Sequence, residues 1–151
     1  MKIRARGFAL IEVLCAVFIV AALAGICVFR FDSREVKIEA FARSLCSDIR
    51  YVRLKNMSSD YTTLIKYEIL EDGRNAYILM ENGKVVRRVA LPRDTDIYHS
   101  VRVIKFTCTG ALSSRGETIR INDIRSGTDT ILTIVPFSGR VLIKEGIYEE
   151  E

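Results

Sequence analysis

The chain begins with a long apolar run that holds a single charge. From Phe8 to Phe29 there are 22 residues, and Glu12 is the only charged one among them. A helix that rises about 1.5 Å per residue makes this run roughly 33 Å long, enough to cross a hydrocarbon core of about 30 Å. The pattern therefore predicts a transmembrane helix over residues 8–31 with one carboxylate inside it.

A second helical pattern follows, over residues 32–56. Polarity changes directly after Phe29, and apolar residues then recur at steps of three and four, which predicts one apolar helix face. No proline or glycine interrupts Ile26 to Met57, so the two halves are predicted to form one long helix. A coiled coil is disfavoured because the run is too short for sustained heptads. The predicted apolar face consists of Val36, Ala40, Phe41, Leu45, Ile49 and Val52.

The remaining residues, 57–151, show the two-residue alternation of β-strands. Short turn sequences separate the runs, and Asn82-Gly83 between two of them is a strong hairpin signal. Short connections favour antiparallel pairing, because parallel strands need long crossovers. The predicted fold class is α+β, a long N-terminal helix packed on a C-terminal antiparallel sheet. The predicted strands are Thr62–Leu70, Ala76–Glu81, Lys84–Leu91, Val101–Cys108, Thr118–Asn122, Thr130–Val135 and Arg140–Lys144.

The junction between the basic head and the apolar run carries the most specific motif. A leader of residues 1–7 ends in Gly7, Phe8 follows, and Glu12 stands four residues later. This arrangement resembles the type IV prepilins and pseudopilins, which usually have Thr where Ala9 stands. The resemblance implies a pilin-like fold, cleavage after Gly7 by a prepilin peptidase, and methylation of the new Phe8 amine. It also implies that Glu12 pairs with the amine of a neighbouring subunit, in keeping with the need of a carboxylate near hydrocarbon for a partner.

Other N-terminal segments fit the pattern less well. A secretory signal would have an apolar region of about 7–15 residues and an A-x-A site. A lipoprotein signal would need a small residue before Cys27, where Ile26 stands. A plain single-pass anchor whose Glu12 reaches the headgroups remains an alternative. The basic leader predicts a cytoplasmic N-terminus and an extracytoplasmic C-terminal domain, in one membrane pass.

Charge gives little support to a nucleic-acid partner. The chain has 23 basic and 19 acidic residues, and cleavage after Gly7 would remove three basic residues and no acidic one. Arg87 and Arg88 alternate within a strand, so they should face opposite sides. Basic residues of the C-terminal third are interspersed with acidic ones, and no single-faced cluster is predicted. DNA is therefore possible but not supported by charge, with Arg140 as the candidate contact.

No motif for catalysis, a metal or a cofactor is present. The one histidine, His99, has no nucleophile pattern near it and is expected to be a loop residue. Asp94 and Asp96 lack the register of a calcium loop and are expected in a solvated turn. The four cysteines have no zinc spacing. Cys46 and Cys108 would both reach an exported compartment, where a disulfide between them could form.

The C-terminal half resembles the H-type minor pseudopilins and competence-pilus minor pilins. The resemblance rests on Phe106–Gly110, Gly116–Ile119 and Ser138–Val141. Some relatives carry a second basic residue that touches DNA, but Leu142 stands at that position. The expected function is a non-enzymatic minor pilin or pseudopilin for competence DNA uptake or type II secretion. It would assemble with other pilins from the membrane into a cell-surface or periplasmic filament. The alternative is a membrane-tethered extracytoplasmic β domain that binds a ligand or DNA.

Overall fold

Two helices and two β-sheets make up the part of the chain that the computed structural model describes, residues 11–22, 33–58 and 61–146. Helix α1 covers residues 11–22, and helix α2 is Ser33–Ser58. The chain divides into two units, Met1–Ser33 and Arg34–Glu151. Helix α1 belongs to the first unit, and α2 after Ser33 belongs to the second with all the strands. The predicted continuity from residue 8 to residue 56 crosses residues 23–32, which lie outside the described residues.

Eight strands form two four-stranded sheets, and every pairing between them is antiparallel. The first sheet has the order β3-β2-β1-β5, and the second has the order β4-β6-β7-β8. The predicted α+β class with antiparallel pairing is confirmed for the described residues. The strands are β1 Leu64–Ile69, β2 Asn75–Glu81, β3 Lys84–Ala90, β4 Thr95–Tyr98, β5 Val103–Ile104, β6 Glu117–Asp123, β7 Asp129–Ile134 and β8 Val141–Gly146.

Helix α2 supplies one side of the core of the second unit. Four residues of the predicted apolar face are buried, but Val36 and Ala40 are exposed, so the prediction was wrong for these two. The buried face instead includes Ile38 and Ala42, which lie two residues after Val36 and Ala40. The core-facing apolar residues of α2 are Ile38, Phe41, Ala42, Leu45, Cys46, Ile49 and Val52, and they pack with inward residues of both sheets.

The predicted strands agree with the structure except around residues 95–112. Strand β4 was missed, because its acidic sequence TDIY follows a turn in which Asp94 has φ 57°. The long strand predicted over Val101–Cys108 is wrong, since β5 keeps two residues and Phe106 makes only an isolated bridge to Leu112. The chain turns there instead, with the Gly110 amide donating to the Thr107 carbonyl at 3.0 Å.

The hairpin predicted at Asn82-Gly83 is confirmed. Both residues have positive φ, 50° and 75°, as a two-residue hairpin loop of the I′ kind requires. The loop joins β2 to β3, and the β2–β3 register shifts between Leu79 and Met80, just before the loop. A hydrogen bond of 2.5 Å from the Tyr51 hydroxyl to Glu81 ties this end of the hairpin to α2.

Candidate functional site

Helix α1 presents the predicted assembly residue on an otherwise apolar surface. Glu12 is exposed, and it is the only charged residue among residues 11–22. Large apolar side chains on all sides of the helix are more than half exposed, Phe18 most of all at 76%. A helix that is apolar all round is suited to burial in lipid or among other helices. Glu12 is therefore a polar group whose partner must come from outside this helix.

The processing residues Gly7 and Phe8 lie outside the described residues, as do residues 8–10 and 23–31 of the predicted membrane helix. Among the residues that the structure describes, no helix is both long and apolar enough to span a membrane.

The outer face of α2 carries several apolar side chains among charged ones. Val36, Tyr51, Leu54 and Met57 are each at least 40% exposed. Polar neighbours on this face include Arg43, which forms an ion pair with Glu39 one turn earlier. A mixed surface of this kind can contact another subunit without needing lipid.

A buried polar network joins α2 to the first sheet. The Asp48 carboxylate, 5% exposed, accepts a 2.7 Å hydrogen bond from the Tyr77 hydroxyl and a 3.0 Å bond from Arg87 Nη1. Arg87 Nη2 also donates to Ser44 Oγ at 2.7 Å. Burial raises the pKa of Tyr77 well above its ordinary value. Each oxygen of Asp48 has a partner, and the network serves to position the helix on the sheet.

Arg87 and Arg88 point to opposite faces of β3, as predicted for neighbours in a strand. Arg87 faces α2 and Asp48, whereas Arg88 forms a 2.6 Å ion pair with Glu68 on the other face. Both guanidinium groups are therefore neutralised within the domain. They contribute no single-faced basic patch of the kind that binds nucleic acid.

Two glycines of the C-terminal motif, Gly110 and Gly139, lie against Arg53 in the last turns of α2, whereas Gly116 packs on Pro136. Arg53 Nε donates to the Gly110 carbonyl at 3.1 Å. A Cβ on Gly139 would lie 2.7 Å from Arg53 Nε and would also clash with the Gly110 carbonyl. A Cβ on Gly116 would lie 3.0 Å from Pro136 Cγ. The motif thus has a structural use, because it lets two loops close on Arg53.

A second buried polar cluster lies where the two sheets meet. Glu117, 1% exposed, accepts hydrogen bonds through Oε1 from the amides of Ser100 at 2.7 Å and Val101 at 3.3 Å. His99 stacks on Tyr67 with ring centroids 4.1 Å apart. Among the described residues, the Tyr67 hydroxyl and Glu117 Oε2 have no hydrogen-bond partner. Burial, and then the charge of Glu117, raises the pKa of Tyr67 far above its ordinary value.

His99 lies in a loop, as the sequence predicts, whereas Glu117 and Tyr67 were not predicted to lie in a site. Glu117 could have been found from the alternation of Glu117, Ile119 and Ile121, which puts all three on the same inward face of β6. The contact with Tyr67 could not have been found, because it joins residues that are far apart in the sequence.

The cysteines do not form the predicted disulfide. Cys46 and Cys108 are free thiols, one buried in the core under α2 and the other exposed in the turn after β5. Cys15 is a free, exposed thiol on α1, and Cys27 lies outside the described residues. A hydrogen bond with Cys108 raises the pKa of Tyr61. The possible Cys46–Cys108 disulfide is therefore not formed in this structure.

The turn between β7 and β8 carries the candidate DNA contact, Arg140. Its side chain is exposed, and Phe137 at the same tip is 91% exposed. Phe137 was not predicted as an exposed residue, although an aromatic residue between a proline and a Ser-Gly turn is a recognisable signal in the sequence. Leu142, which replaces a basic residue of some relatives, is 39% exposed on β8.

Asp94 and Asp96 lie at the start of β4. Asp94 forms a 2.7 Å ion pair with Arg125, and Asp96 stands opposite Asn122 in the strand register. Within residues 11–22, 33–58 and 61–146, no group of three or more His, Cys, Asp or Glu side chains is placed to hold a metal ion.

Comparisons with known proteins identify the N-terminal segment. Residues 2–28 match the family model described as the prokaryotic N-terminal methylation motif. No curated protein and no solved structure matches the chain significantly. The matched segment includes Gly7, Phe8 and Glu12, and it implies a membrane-anchored N-terminus and assembly with other pilins. Residues 2–28 thus carry the methylation motif, which indicates a type IV pilin-like precursor that a prepilin peptidase processes.

Proposed function

We propose that this protein is a minor pilin or pseudopilin, a structural subunit of a type IV pilus-like filament. The observation that carries the proposal is the match of residues 2–28 to the methylation motif. In this role the peptidase cleaves after Gly7, the Phe8 amine is methylated, and the subunit leaves the membrane to enter the filament. The chain acts through assembly and has no catalytic step of its own.

Helix α1 supplies the contact that fixes register between subunits. Glu12 is its only charge, and an isolated carboxylate in an apolar setting is strongly disfavoured unless it is paired. The methylated amine of a neighbouring Phe8 would be the partner. Burial of the surrounding apolar side chains would then drive association once the helices leave lipid.

The second unit covers the outside of the filament. The exposed apolar residues of α2, Tyr51 and Leu54 among them, provide surface for neighbouring helices. The Asp48 network and the Arg53 contacts hold the sheets on the same helix. Competence DNA uptake and type II secretion are the two systems proposed for the filament, on the resemblance of the C-terminal motif.

The first test is the mature N-terminus of the full chain after expression with and without a prepilin peptidase. Mass spectrometry should find a chain that begins at N-methylated Phe8 with the peptidase, and an uncut Met1 without it. Gly7→Val is the matched control, because its side chain should block the narrow peptidase site and leave the chain uncut. An uncut wild-type chain, or cleavage near Ala24, would leave a tethered or secreted β domain and reject the proposal.

Glu12→Ala tests assembly separately from processing. The variant should still be cleaved and inserted into membranes, while its recovery in sheared filaments falls by about tenfold or more. Glu35→Ala, which removes an exposed carboxylate from α2, should leave recovery unchanged. Equal recovery of Glu12→Ala and wild type would reject the charge-pairing role. Deletion of the protein then distinguishes the two systems, because loss of DNA uptake indicates a competence pilus and loss of exoprotein secretion indicates type II secretion.

A further inference from the structure

We propose that the end of the second unit at which α2 begins contacts the lipid surface through Ile69 and Ile124 while the subunit is anchored in the membrane. This end, called the proximal end, consists of the β1–β2, β3–β4 and β6–β7 connections, residues 70–74, 91–94 and 124–128. The inference rests on the membrane anchor that the proposed function requires. It adds a second contact with lipid, made by the β domain itself.

The direction of β2 places the β1–β2 turn at the proximal end. The Tyr77 hydroxyl lies 3.3 Å from Ser44 Oγ on α2. Four residues later along β2, Glu81 accepts a 2.5 Å hydrogen bond from Tyr51, which lies further along α2. Strand β2 therefore runs in the same direction as α2, and the turn that precedes β2 lies on the side where α2 begins.

Chain length brings this turn close to the bilayer. The predicted membrane segment ends at residue 31 and α2 begins at Ser33, so at most about 7 Å of chain separates the two residues. Ser44 lies about 17 Å along α2 from Ser33, and the chain from Tyr77 back to Gly73 covers about 13 Å. The β1–β2 turn thus comes within about 5 Å of the level at which α2 begins.

Two hydrogen bonds place the other connections at the same end. The Leu91 amide donates to the carbonyl of Asn75, the first residue of β2, at 2.8 Å. The Ile124 amide donates at 3.2 Å to the carbonyl of Asp94, three residues further along the β3–β4 connection. Strand β7 then leads away from this turn toward Gly139, which packs on the last turns of α2. Ile124 therefore belongs to the proximal end.

The proximal end carries two strongly exposed isoleucines. Ile69 lies on the same face of β1 as Ile65 and Tyr67. Those two residues are 0% and 4% exposed, whereas Ile69 is 74% exposed, so the apolar side of β1 extends past the core. Ile124 is 58% exposed in the β6–β7 turn. Exposed apolar side chains at the end of a domain nearest its anchor fit contact with lipid.

The charges of the proximal end are balanced. Asp72 forms an ion pair with Arg74 at 2.6 Å, and Asp94 forms one with Arg125 at 2.7 Å. Together with the first turn of α2, this end also carries two exposed charges of each sign, on Glu35, Glu71, Lys37 and Arg93. Balanced charges give no net attraction to anionic headgroups. The contact is therefore apolar rather than electrostatic.

The anchor makes this small contact sufficient. An isolated domain with two exposed isoleucines would bind a bilayer weakly, because little apolar area is buried. The anchor holds the proximal end beside the lipid, so the contact forms within one molecule at a high effective concentration. It would hold the β domain on the membrane surface, and it is lost when the subunit enters the filament.

A photo-cross-link to lipid tests the contact. Ile69→photoleucine and Ile124→photoleucine, each with a diazirine analogue of leucine, are made in the full chain and placed in nanodiscs of phosphatidylcholine. After illumination, mass spectrometry of tryptic peptides should find phosphatidylcholine attached at each position. Leu54→photoleucine is the matched control, since Leu54 is 62% exposed near the other end of α2. It should give about a fifth of the lipid adduct or less.

Two aspartate variants test whether the isoleucines act together. Ile124→Asp should lower the adduct at position 69 about threefold, because one of the two apolar contacts is lost. Val85→Asp should leave this adduct unchanged, since Val85 pairs with Met80 near the other end of β2 and is equally accessible to substitution at 50% exposure. Circular dichroism checks that both variants fold. Addition of phosphatidylglycerol or of salt should also leave the adduct unchanged.

Three outcomes would overturn the proposal: equal adduct at position 54, a link from positions 69 and 124 to protein instead of lipid, or an adduct that requires phosphatidylglycerol and low salt. Val17→photoleucine on α1 separates failure of the contact from failure of the anchor. If position 17 links lipid and positions 69 and 124 do not, the anchor stands and the proximal contact is wrong. If none of the three positions links lipid, the anchor fails, and the proposed function fails with it.

Discussion

Tyr67 and Tyr77 stand directly opposite each other on β1 and β2 and face the same core, yet their hydroxyl groups have different surroundings. The Tyr77 hydroxyl donates to Asp48 in a network that also includes Ser44 and Arg87. The Tyr67 hydroxyl has no partner among the described residues, although Glu117 lies in the same cluster. The same residue type on the same sheet face thus belongs to a completed network in one region and to an incomplete one in the other.

The difference follows from what each region packs against. The helix–sheet contact can use Arg87, whose side chain is half exposed, to neutralise Asp48 while its polar end stays near water. At the junction of the two sheets, Glu117 is held by the backbone amides of Ser100 and Val101 instead. These donors satisfy one carboxyl oxygen and fix the segment after β4. They leave the second oxygen and the Tyr67 hydroxyl unsatisfied, which destabilises a fold.

The largest expected loss of stability comes from a substitution in the completed network. Asp48→Ala should lower the free energy of unfolding by about 2–4 kcal/mol, because Tyr77 and Arg87 both lose their acceptor. The measurement is urea unfolding of the full chain in detergent, followed by circular dichroism. Glu39→Ala breaks an exposed pair with Arg43 on the same helix and should cost less than about 0.5 kcal/mol. Similar losses for the two variants would show that the buried network stabilises the fold no more than the exposed ion pair does.

Both tyrosines should lower the stability of the fold at alkaline pH. Burial raises the pKa of both above the ordinary value of 10.0. Below pH 10 both hydroxyls are protonated in the folded and unfolded states. As pH rises above 10, the unfolded chain releases these protons and the folded chain does not, so unfolding becomes easier. Each tyrosine should lower stability by roughly 1.4 kcal/mol per pH unit there. Tyr67→Phe and Tyr77→Phe should each reduce this slope, and an unchanged slope in either variant would contradict the assignment for that residue.

At pH 7 the same two substitutions should change the free energy of unfolding by different amounts in the two regions. Tyr77→Phe should cost about 1–1.5 kcal/mol, since it removes a hydrogen bond and leaves Asp48 one donor short. Tyr67→Phe should be neutral or stabilising by a few tenths of a kcal/mol, because it removes a hydroxyl that lacks a partner. Each variant is the other's control, as both delete one oxygen from a buried ring. Equal costs would mean that Tyr67 has a hydrogen-bond partner in solution.

A smaller loss of stability than in the completed network is expected at the exposed ring of the incomplete region. His99→Ala should cost about 0.5–1 kcal/mol by removing the stack on Tyr67. It should also speed hydrogen exchange of the Ser100 amide, which Glu117 holds. Tyr98→Ala, which removes the exposed neighbouring ring, is the control and should leave that amide unchanged. Unchanged exchange in His99→Ala would show that Glu117 alone fixes this segment.

Much of the second unit could be predicted from local patterns. The Asn82-Gly83 turn was correct because only a few residue pairs adopt positive φ without strain. Six strands were found near their true bounds, since their inward residues alternate. Strand β4 was missed because its pairing with β6 is not encoded within its own four residues. Phe106 likewise looked like part of a regular strand, but it forms an isolated bridge to Leu112 across a turn.

The candidate sites also differ in whether residues close together in the sequence are enough to predict them. Cleavage, methylation and anchoring depend on residues close together in sequence, so Gly7, Phe8 and Glu12 could be proposed for these roles from their order alone, and the match to residues 2–28 spans them. The glycines of the C-terminal motif were noticed in the sequence, but the crowding of Gly110 and Gly139 around Arg53 was not predicted.

The sequence by itself determined the apolar N-terminal run with its one carboxylate, the amphipathic α2 and the antiparallel class of the β domain. These properties depend on spacing along the chain and on local backbone preferences. Tertiary structure alone decided which polar groups meet: Asp48 with Arg87, Glu117 with the segment after β4, and Tyr67 with His99. The reason is physical, because a buried polar group is stabilised only by the atoms that folding brings beside it. Those atoms come from residues far away in sequence.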